Sequence, residues 1–222
     1  MTDAARSTTV LAASEPLSRA LKERTAVAHE RAENSGFMSS MLEGKSGVEA
    51  LVALLAQSLP IYAALEAACR RQAQEPQFAP LYDVILERET ALRADLDTHA
   101  KAGIECGTIV PATRAYVAEI EASAADPARL VGHHYVRYLG DLSGGQIIGT
   151  LMRRHHGLDE GLSFYHFDVA KPKVYKDEYR ANLDALPLTD AERGEAVDAA
   201  VAAFDLNSRV FAELGELVPL KA

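Results

Sequence analysis

The feature that most constrains the fold is a glycine-rich stretch, residues 138–149, inside an otherwise helical pattern. Four glycines fall within ten residues: Gly140, Gly144, Gly145 and Gly149. Each weakens a helix by roughly 1 kcal/mol relative to alanine, so their accumulation needs a structural reason. One reason is a helix break or a tight helix–helix contact. The other is a surface on which a flat ligand approaches the backbone, and Asp141, placed among the glycines, favours that second interpretation.

The rest of the chain shows helical periodicity with capping signals and lacks convincing alternating strand patterns. Capping boxes begin at Ser46 and Thr189, and Asp126 precedes a proline at a helix start. We predict helices over about residues 14–34, 46–72 (bent at Pro60), 80–100, from 111, from 126 through the glycines, and 189–217. The sequence therefore predicts a single all-α domain over residues 16–217, with loose tails at 1–15 and 218–222.

Composition limits the possible partners and compartments. The net charge of −9 argues against nucleic acid or an anionic membrane as the main partner. Cys69 and Cys106 have no metal-binding spacing, which fits a reducing compartment. The longest uncharged run, residues 50–65, is short for a membrane span, and the first residues make a poor signal peptide. We expect a soluble, cytoplasmic protein without a membrane anchor.

The first predicted helix carries a histidine with a carboxylate one turn later. Lys22, His29 and Glu33 fall on one strip of this helix, and Glu33 can reach the His29 imidazole. A surface His–Glu pair is one interpretation. A metal-bound histidine whose ring is held by an acceptor is the other. Because no pair of histidines shows the spacing of a zinc or di-iron site, a single proximal histidine suits heme better than a protein-only metal site.

A second candidate site is a cationic strip near the end of the chain. Lys173, Lys176 and Arg180 share one face of a predicted helix. A solvated charged face is one explanation. A clamp for an anion is the other, since arginine can bind a carboxylate through two hydrogen bonds. With Lys22, such a clamp could hold the two propionates of a heme or receive an acidic redox partner.

Taken together, these stretches resemble the heme oxygenase family, and the soluble bacterial enzymes in particular. The longest match, HHYVRYLGDLSGGQ at residues 133–146, is similar to the family's distal-helix signature nearly residue for residue. Residues 22–38 resemble the segment around the proximal iron ligand. Shorter matches lie at residues 62–66, 78–82, 174–180 and 204–211. The resemblance extends over about residues 17–215 and implies an all-α bundle with heme between a proximal helix and a kinked, glycine-rich distal helix.

The resemblance also implies roles for individual residues. His29 would be the proximal iron ligand, with Glu33 as its hydrogen-bonding partner. Asp141 would hold a water on the oxygen side of the heme. Its hydrogen-bond network would be extended by Arg137, Tyr62 and Asn207. The remaining implied heme-binding residues are Gly140, Gly144 and Gly145, which would let the distal backbone lie close over the porphyrin, Lys22, Tyr135, Lys176 and Arg180 at the propionates, and Ser143 and Phe204.

By the same resemblance, heme b is both the substrate and the oxygen-activating cofactor. The implied products are biliverdin, carbon monoxide and ferrous iron, with electrons supplied by a separate ferredoxin or flavoprotein reductase. Fixed propionates determine which meso carbon is attacked, and the clamp residues predict the α-meso position. His133 matches the family's distal-region histidine and His134 falls beside it. We assign neither to iron, and the sequence leaves their structural role open.

Two other functions fit parts of this pattern. A heme-storage or delivery protein could share the helical architecture and the proximal histidine. It would have little use for Asp141 over the open iron face, since burying a carboxylate is costly. Unrelated small-molecule chemistry is a third reading, because a fold does not fix a function. The combination of His29 with the glycine-rich segment argues against it. Nothing in the sequence demands more than a monomer.

Overall fold

The computed structural model describes residues 15–218, so nearly all of both predicted tails lies outside the described residues. Within that range the structure is helical and contains no strand, which confirms the all-α prediction. The α-helices are α1 (Leu17–Glu33), α2 (Gly36–Leu42), α3 (Val48–Gln72), α4 (Glu89–Lys101), α5 (Pro111–Ser123), α6 (Pro127–His134), α7 (Gln146–His156), α8 (Pro172–Asp184) and α9 (Asp190–Leu217). Two π-helical stretches, Tyr135–Leu139 and Asp141–Gly145, lie between α6 and α7.

Of the three helix starts predicted from capping signals, two are confirmed by their caps. The Asp126 carboxylate accepts from the backbone N–H groups of Ala128 and Arg129 at 3.0 and 3.2 Å. Thr189 forms the predicted capping box with Glu192. The capping box predicted at Ser46 is wrong. Gly47 is the N-cap of α3, and the Ser46 hydroxyl pairs with that of Ser40 at 2.7 Å.

The structure adds one helix and corrects one other boundary. Helix α2, which the sequence analysis did not predict, begins at Gly36, and Ser35 caps it by accepting from Met38 N–H at 3.3 Å. The helix predicted over residues 80–100 begins only at Glu89, after two short 3₁₀ turns at Ala79–Leu81 and Val84–Leu86. The buried Glu66 carboxylate accepts from the backbone N–H groups of Arg88 and Glu89 at 2.5 and 2.9 Å. This contact satisfies N–H groups that have no partner within a helix, so it fixes where α4 starts.

Helices α3 and α9 form the centre of the bundle. Helix α3 packs mainly against α4 and α5, while α9 packs against α1, α5 and α6. By length and composition α3 could cross a membrane, but more than half of its most apolar window is buried inside the protein. Its apolar character is that of a core helix, and Pro60 lies within it.

The glycine-rich stretch continues a helix rather than ending one. Gly140 and Gly145 have helical backbone angles, with φ of −62° and −58°. The widened π turns on either side of Gly140 place one extra residue per turn, an arrangement found frequently at functional sites. Residues 127–156 thus form one long helical element, which we call the distal segment. It ends at Gly157, whose φ of +64° is a left-handed conformation that favours glycine.

Gly132 allows the distal segment to touch α9 backbone to backbone. A Cβ atom at this position would lie 2.3 Å from the Ala196 carbonyl oxygen and 2.7 Å from the Ala200 nitrogen. We expect Gly132→Ala to destabilise the protein by about 3 kcal/mol, because backbone atoms cannot rotate away from the added methyl group. Urea unfolding measures this change. Gly140→Ala is the matched control, since a Cβ at Gly140 meets no atom within 4 Å and alanine favours a helix. Equal stability of the two variants would contradict the assigned contact.

Candidate active site

The predicted proximal residue, His29, lies on the surface-facing side of α1. Its side chain is 49% exposed, and its Nε2 lies 3.5 Å from Oε1 of Glu33. The imidazole edge packs against the Phe204 ring of α9, with centroids 5.3 Å apart and planes at 82°. Within residues 15–218, no group of three or more His, Cys, Asp or Glu side chains could hold a metal ion. The accessible His29 could therefore be the single protein ligand of a metal ion whose other ligands belong to a bound cofactor.

Asp141 lies at the start of the second π-helical stretch, in contact with α3. The Tyr62 hydroxyl, which is fully buried, donates a hydrogen bond to Oδ2 of Asp141. Burial raises the pKa of the Asp141 carboxyl, and the positive charge of Arg137 and the bond from Tyr62 oppose part of that rise. Asp141 is thus a hydrogen-bonded, desolvated acid that can exchange a proton closer to neutrality than an exposed aspartate.

Arg137 contacts both Tyr62, the hydrogen-bond donor to Asp141, and helix α9. Its guanidinium carbon lies 4.6 Å from the centroid of the Tyr62 ring, within the range of a cation–π contact. Its Nη1 donates to Oδ1 of Asn207 on α9 at 2.8 Å. The structure therefore brings together the four predicted catalytic residues: Tyr62, Arg137, Asp141 and Asn207.

Helix α9 links the proximal and distal sides of the site. Phe204 contacts His29, and Asn207, one turn later, binds Arg137. Because residues three apart on a helix share a face, His29 and the Asp141 network lie on the same side of α9. The two halves of the predicted site, more than a hundred residues apart in the chain, thus meet across one helix turn.

The glycines of the distal segment fall into two groups. Gly140 is exposed and Gly144 half-buried, and a Cβ at either would meet no atom within 4 Å. Gly145 is buried instead and faces inward, where a Cβ would lie 3.5 Å from Tyr165 and 3.6 Å from the Cβ of Asp141. Gly140 and Gly144 therefore leave the backbone open to an approaching ligand, whereas Gly145 makes room for neighbouring side chains.

The cationic residues of α8 lie beside the distal segment. Lys176 Nζ donates to the Ser143 hydroxyl at 3.2 Å, and Arg180 Nη1 donates to Asp177 at 2.9 Å. The charge of Arg180 also acts on Tyr135 at the start of the first π-helical stretch. Lys22 lies exposed on α1, about two turns before His29. These positions leave the Lys22, Lys176 and Arg180 charges accessible from solvent, as an anion clamp requires.

The structure assigns structural roles to the adjacent histidines His133 and His134. Both are buried, and burial lowers the pKa of His133 to about 4 and of His134 to about 3. Both rings are therefore neutral near pH 7. His134 Nδ1 pairs with the Tyr179 hydroxyl at 2.8 Å, and the two rings stack. This contact anchors α8, which carries the cationic residues, to the distal segment.

Sequence reasoning missed two tyrosines near Asp141. The hydroxyls of Tyr116 and Tyr165 are buried and, among the described residues, have no hydrogen-bond partner, and the same holds for Nε of Arg137. Burial raises the pKa of Tyr116 to about 12. Tyr116 shares an apolar face of α5 with Ala112 and Ile120, so its sequence context indicates only a core position. Only the tertiary structure brings its hydroxyl within reach of the charges of Arg137 and Asp141.

Comparison with known proteins identifies the family. The family model described as heme oxygenase matches residues 15–213. Heme oxygenase 1 of Rattus norvegicus is 38% identical over 212 residues, covering 92% of this chain and 73% of that protein. Heme oxygenase 1 of Nostoc sp. is 36% identical over 208 residues, covering 91% of this chain and 87% of that protein.

Two solved structures similar to this chain are also heme oxygenases. Heme oxygenase-1 from the cyanobacterium Synechocystis sp., in complex with heme, superimposes with a TM-score of 0.85 at 33% identity, covering 91% of this chain and 94% of that one. Heme oxygenase from Leptospira interrogans gives a TM-score of 0.83 at 31% identity, covering 90% of this chain and all of the other. The chain therefore belongs to the heme oxygenase family of enzymes, which degrade heme.

Proposed function

We propose that this enzyme cleaves heme b at the α-meso carbon, using O₂ and an external reductant, to give biliverdin, carbon monoxide and ferrous iron. The observation that carries the proposal is the pairing, across one turn of α9, of the accessible imidazole of His29 with the hydrogen-bonded carboxylate of Asp141. When bound, heme supplies the iron at which O₂ is reduced and the porphyrin carbon that is oxidised.

The residues present fit heme as a bound group. The imidazole of His29 is a suitable iron ligand, and Glu33 lies close enough to hold its ring. Gly140 and Gly144 offer backbone that a planar macrocycle can approach, since no side chain lies within 4 Å of their Cβ positions. Lys176 and Arg180 are placed to pair with two carboxylates at the edge of the ring.

Asp141 acts in this proposal by orienting a water and moving a proton. Its Oδ2 accepts from Tyr62, which fixes the carboxylate and leaves Oδ1 available to a water. The raised pKa of Asp141 lets the carboxyl gain and release a proton more easily than a surface aspartate. Arg137, held by Asn207, supplies a fixed positive charge beside it. Proton delivery is thereby confined to one side of the heme.

The cationic clamp determines the orientation of the ring. Without it, a nearly symmetric porphyrin could bind in several rotations about its own axis. Lys176, fixed by Ser143, and Arg180, near Tyr135, hold the propionates on one side. Arg180 must release or share Asp177 to bind a propionate. The α-meso carbon is the position that this clamp turns toward the distal network in our proposal.

The proposal also covers partners and setting. Each turnover requires several electrons, so we propose an external ferredoxin or flavoprotein reductase that docks at the cationic residues around the heme edge. We further propose that the enzyme acts as a cytoplasmic monomer. Salt dependence of the turnover rate with a ferredoxin as donor tests the docking, because contacts between exposed charges weaken as ionic strength rises.

An absorption time course tests the reaction itself. Purified protein is mixed with one equivalent of hemin, then with a reductase or ascorbate in the presence of catalase. We expect the Soret band to disappear while biliverdin and carbon monoxide form in equal amounts, and chromatography identifies the biliverdin isomer. A Soret complex that persists with a competent reductase would instead indicate a heme-storage or delivery protein. Absence of any Soret complex would overturn heme binding.

A further inference from the structure

Tyr165 enters the site from a segment that α4 holds in place. It lies in a short 3₁₀ turn, Ser163–Tyr165, within the irregular part of the chain between α7 and α8. The Asp95 carboxylate, 1% exposed, accepts from the backbone N–H groups of Ser163 and Phe164 at 2.8 and 2.7 Å. One turn later on α4, His99 Nε2 pairs with the Gly161 carbonyl at 3.0 Å. The turn is therefore fixed at two points before Tyr165.

Arg88 fixes the same segment after Tyr165. Its Nη1 donates to the His166 carbonyl at 2.5 Å, and its guanidinium carbon lies 4.0 Å from the centroid of the Phe167 ring. Arg88 is itself held by the Ile85 and Leu86 carbonyls at 2.9 and 3.0 Å. Three side chains from one neighbouring region thus position a loop that has little regular structure of its own. Such support is what a side chain with a defined position in a site requires.

The Tyr165 side chain occupies space that two distal glycines provide. A Cβ at Gly149 would lie 3.0 Å from the Cβ of Tyr165, which is tighter than ordinary contact. A Cβ at Gly145 would lie 3.5 Å from Cδ1 of Tyr165 and 3.9 Å from Oδ1 of Asp141. The ring of Tyr165 and the carboxylate of Asp141 therefore flank the same glycine. This accounts for Gly145 and Gly149, the two glycines that do not face the open side.

The hydroxyl of Tyr165 needs a hydrogen-bond partner. It is buried, and no atom within residues 15–218 pairs with it. Buried hydroxyls in proteins are almost always hydrogen-bonded, either to protein groups or to ordered water. The hydroxyl of Tyr116 and Nε of Arg137 have the same need, and the charges of Asp141 and Arg137 act on both tyrosines. All three groups therefore lie within electrostatic reach of the Asp141 carboxylate, which can accept hydrogen bonds.

We propose that Tyr165 is a positioning residue for Asp141, its hydroxyl donating through an ordered water shared with Tyr116 and Arg137 to the carboxylate. The hydrogen bond itself does not depend on the proposed function, but its effect on heme turnover rests on that function. In that role Tyr165 stabilises the ionised carboxylate and limits the directions in which Asp141 can hold a water. The device joins α4, the irregular segment and the distal segment into one support for the acid.

Several charged or titratable groups act on Asp141, and a test must separate Tyr165 from them. They come from every element around the carboxylate: Tyr62 of α3, Arg88 before α4, Tyr116 of α5, Arg137 and Tyr138 of the distal segment, and Tyr165. Tyr165→Phe removes one hydroxyl and leaves the other groups in place. Tyr175→Phe is a matched control, because the Tyr175 hydroxyl binds Asp83 at 2.9 Å and takes no part in this network.

The experiment follows the Asp141 carboxyl directly in the heme-free protein. Carboxyl ¹³C signals of aspartate-labelled protein are titrated by NMR, and Asp141→Asn assigns the Asp141 signal. We expect Tyr165→Phe to raise the pKa of Asp141 by about half a unit or more, because loss of a donor disfavours the charged form. Tyr175→Phe should leave it unchanged. An unchanged Asp141 titration in Tyr165→Phe overturns the proposal.

Two further measurements keep the outcome decisive. Incorporation of 3-fluorotyrosine at position 165 gives a stronger donor with nearly the same shape, so the pKa of Asp141 should fall; no change would count against the proposal. In the enzyme, Tyr165→Phe should shift the pH profile of heme turnover in the same direction as the NMR titration. If the wild type fails to degrade heme while the titration shifts as expected, the proposed function fails and the hydrogen bond stands.

Discussion

Replacement of His29 by alanine is expected to lower the rate of heme turnover by about 10³-fold or more, a loss of at least ~4 kcal/mol in transition-state stabilisation. His29 is the iron ligand in our proposal, and no group of three or more His, Cys, Asp or Glu side chains among residues 15–218 forms an alternative metal site. Its side chain is half exposed, so truncation leaves little cavity in the core. Biliverdin formation measured at saturating hemin reports the loss.

Imidazole separates loss of the ligand from loss of the fold. Because the alanine variant leaves an open space beside Phe204, added imidazole should enter it and restore part of the activity. Glu33→Gln is the graded control. It keeps a hydrogen-bond acceptor near the ring but removes the charge, and the loss should be about 10- to 100-fold or smaller. Undiminished turnover by His29→Ala would exclude His29 as the iron ligand.

Replacement of Asp141 by alanine is expected to leave heme binding nearly unchanged while biliverdin formation falls by about 10²-fold or more. Asp141 makes no contact with His29, the proposed iron ligand, and pairs with none of the cationic residues proposed to hold the propionates, so heme affinity should depend little on it. What the variant loses is the acceptor held by Tyr62 and placed beside Arg137. Heme titration gives the affinity, and chromatography of the products gives the biliverdin yield. A wild-type yield would refute the role of Asp141.

Asp141→Asn tests whether the carboxylate's charge or only its shape matters. The amide oxygen can still accept from Tyr62, so the network keeps its geometry but cannot take up a proton. Because the pKa of Asp141 is raised by burial, the folded protein binds this proton more tightly than the unfolded chain does. Stability of the heme-free wild type therefore falls as pH rises from about 4, the usual aspartate pKa, to the raised value in the folded protein. Asp141→Asn should lack this fall, as urea unfolding at several pH values would reveal.

Helix starts could be predicted from the sequence where the capping contact joins residues close together in the chain. The starts of α6 and α9 follow from Asp126 and Thr189, whose side chains bind backbone groups two or three residues away. The start of α4 does not, because the carboxylate that fixes it belongs to Glu66, more than twenty residues earlier. At Ser46 the local sequence pattern predicted a cap, but the Ser46 hydroxyl pairs with Ser40 instead, and Gly47 is the N-cap.

The candidate site shows the same division. His29 with Glu33, and the cationic residues of α8, were predictable because helical spacing alone aligns residues one turn apart. The glycines and Asp141 were predictable as a group because they are adjacent in the chain. Their division into an open face at Gly140 and Gly144 and an inward face at Gly145 was not, since it depends on where the segment that carries Tyr165 packs.

The sequence by itself determined the all-α class, most helices and the residues able to carry the chemistry, because these follow from periodicity, capping and residue type. Only the tertiary structure placed Phe204 and Asn207 so that α9 joins His29 to Arg137. Only it buried the hydroxyls of Tyr116 and Tyr165. The physical reason is that burial and hydrogen bonding between distant segments depend on how helices cross. Crossings are set by close contacts such as Gly132 against α9, which no local pattern specifies.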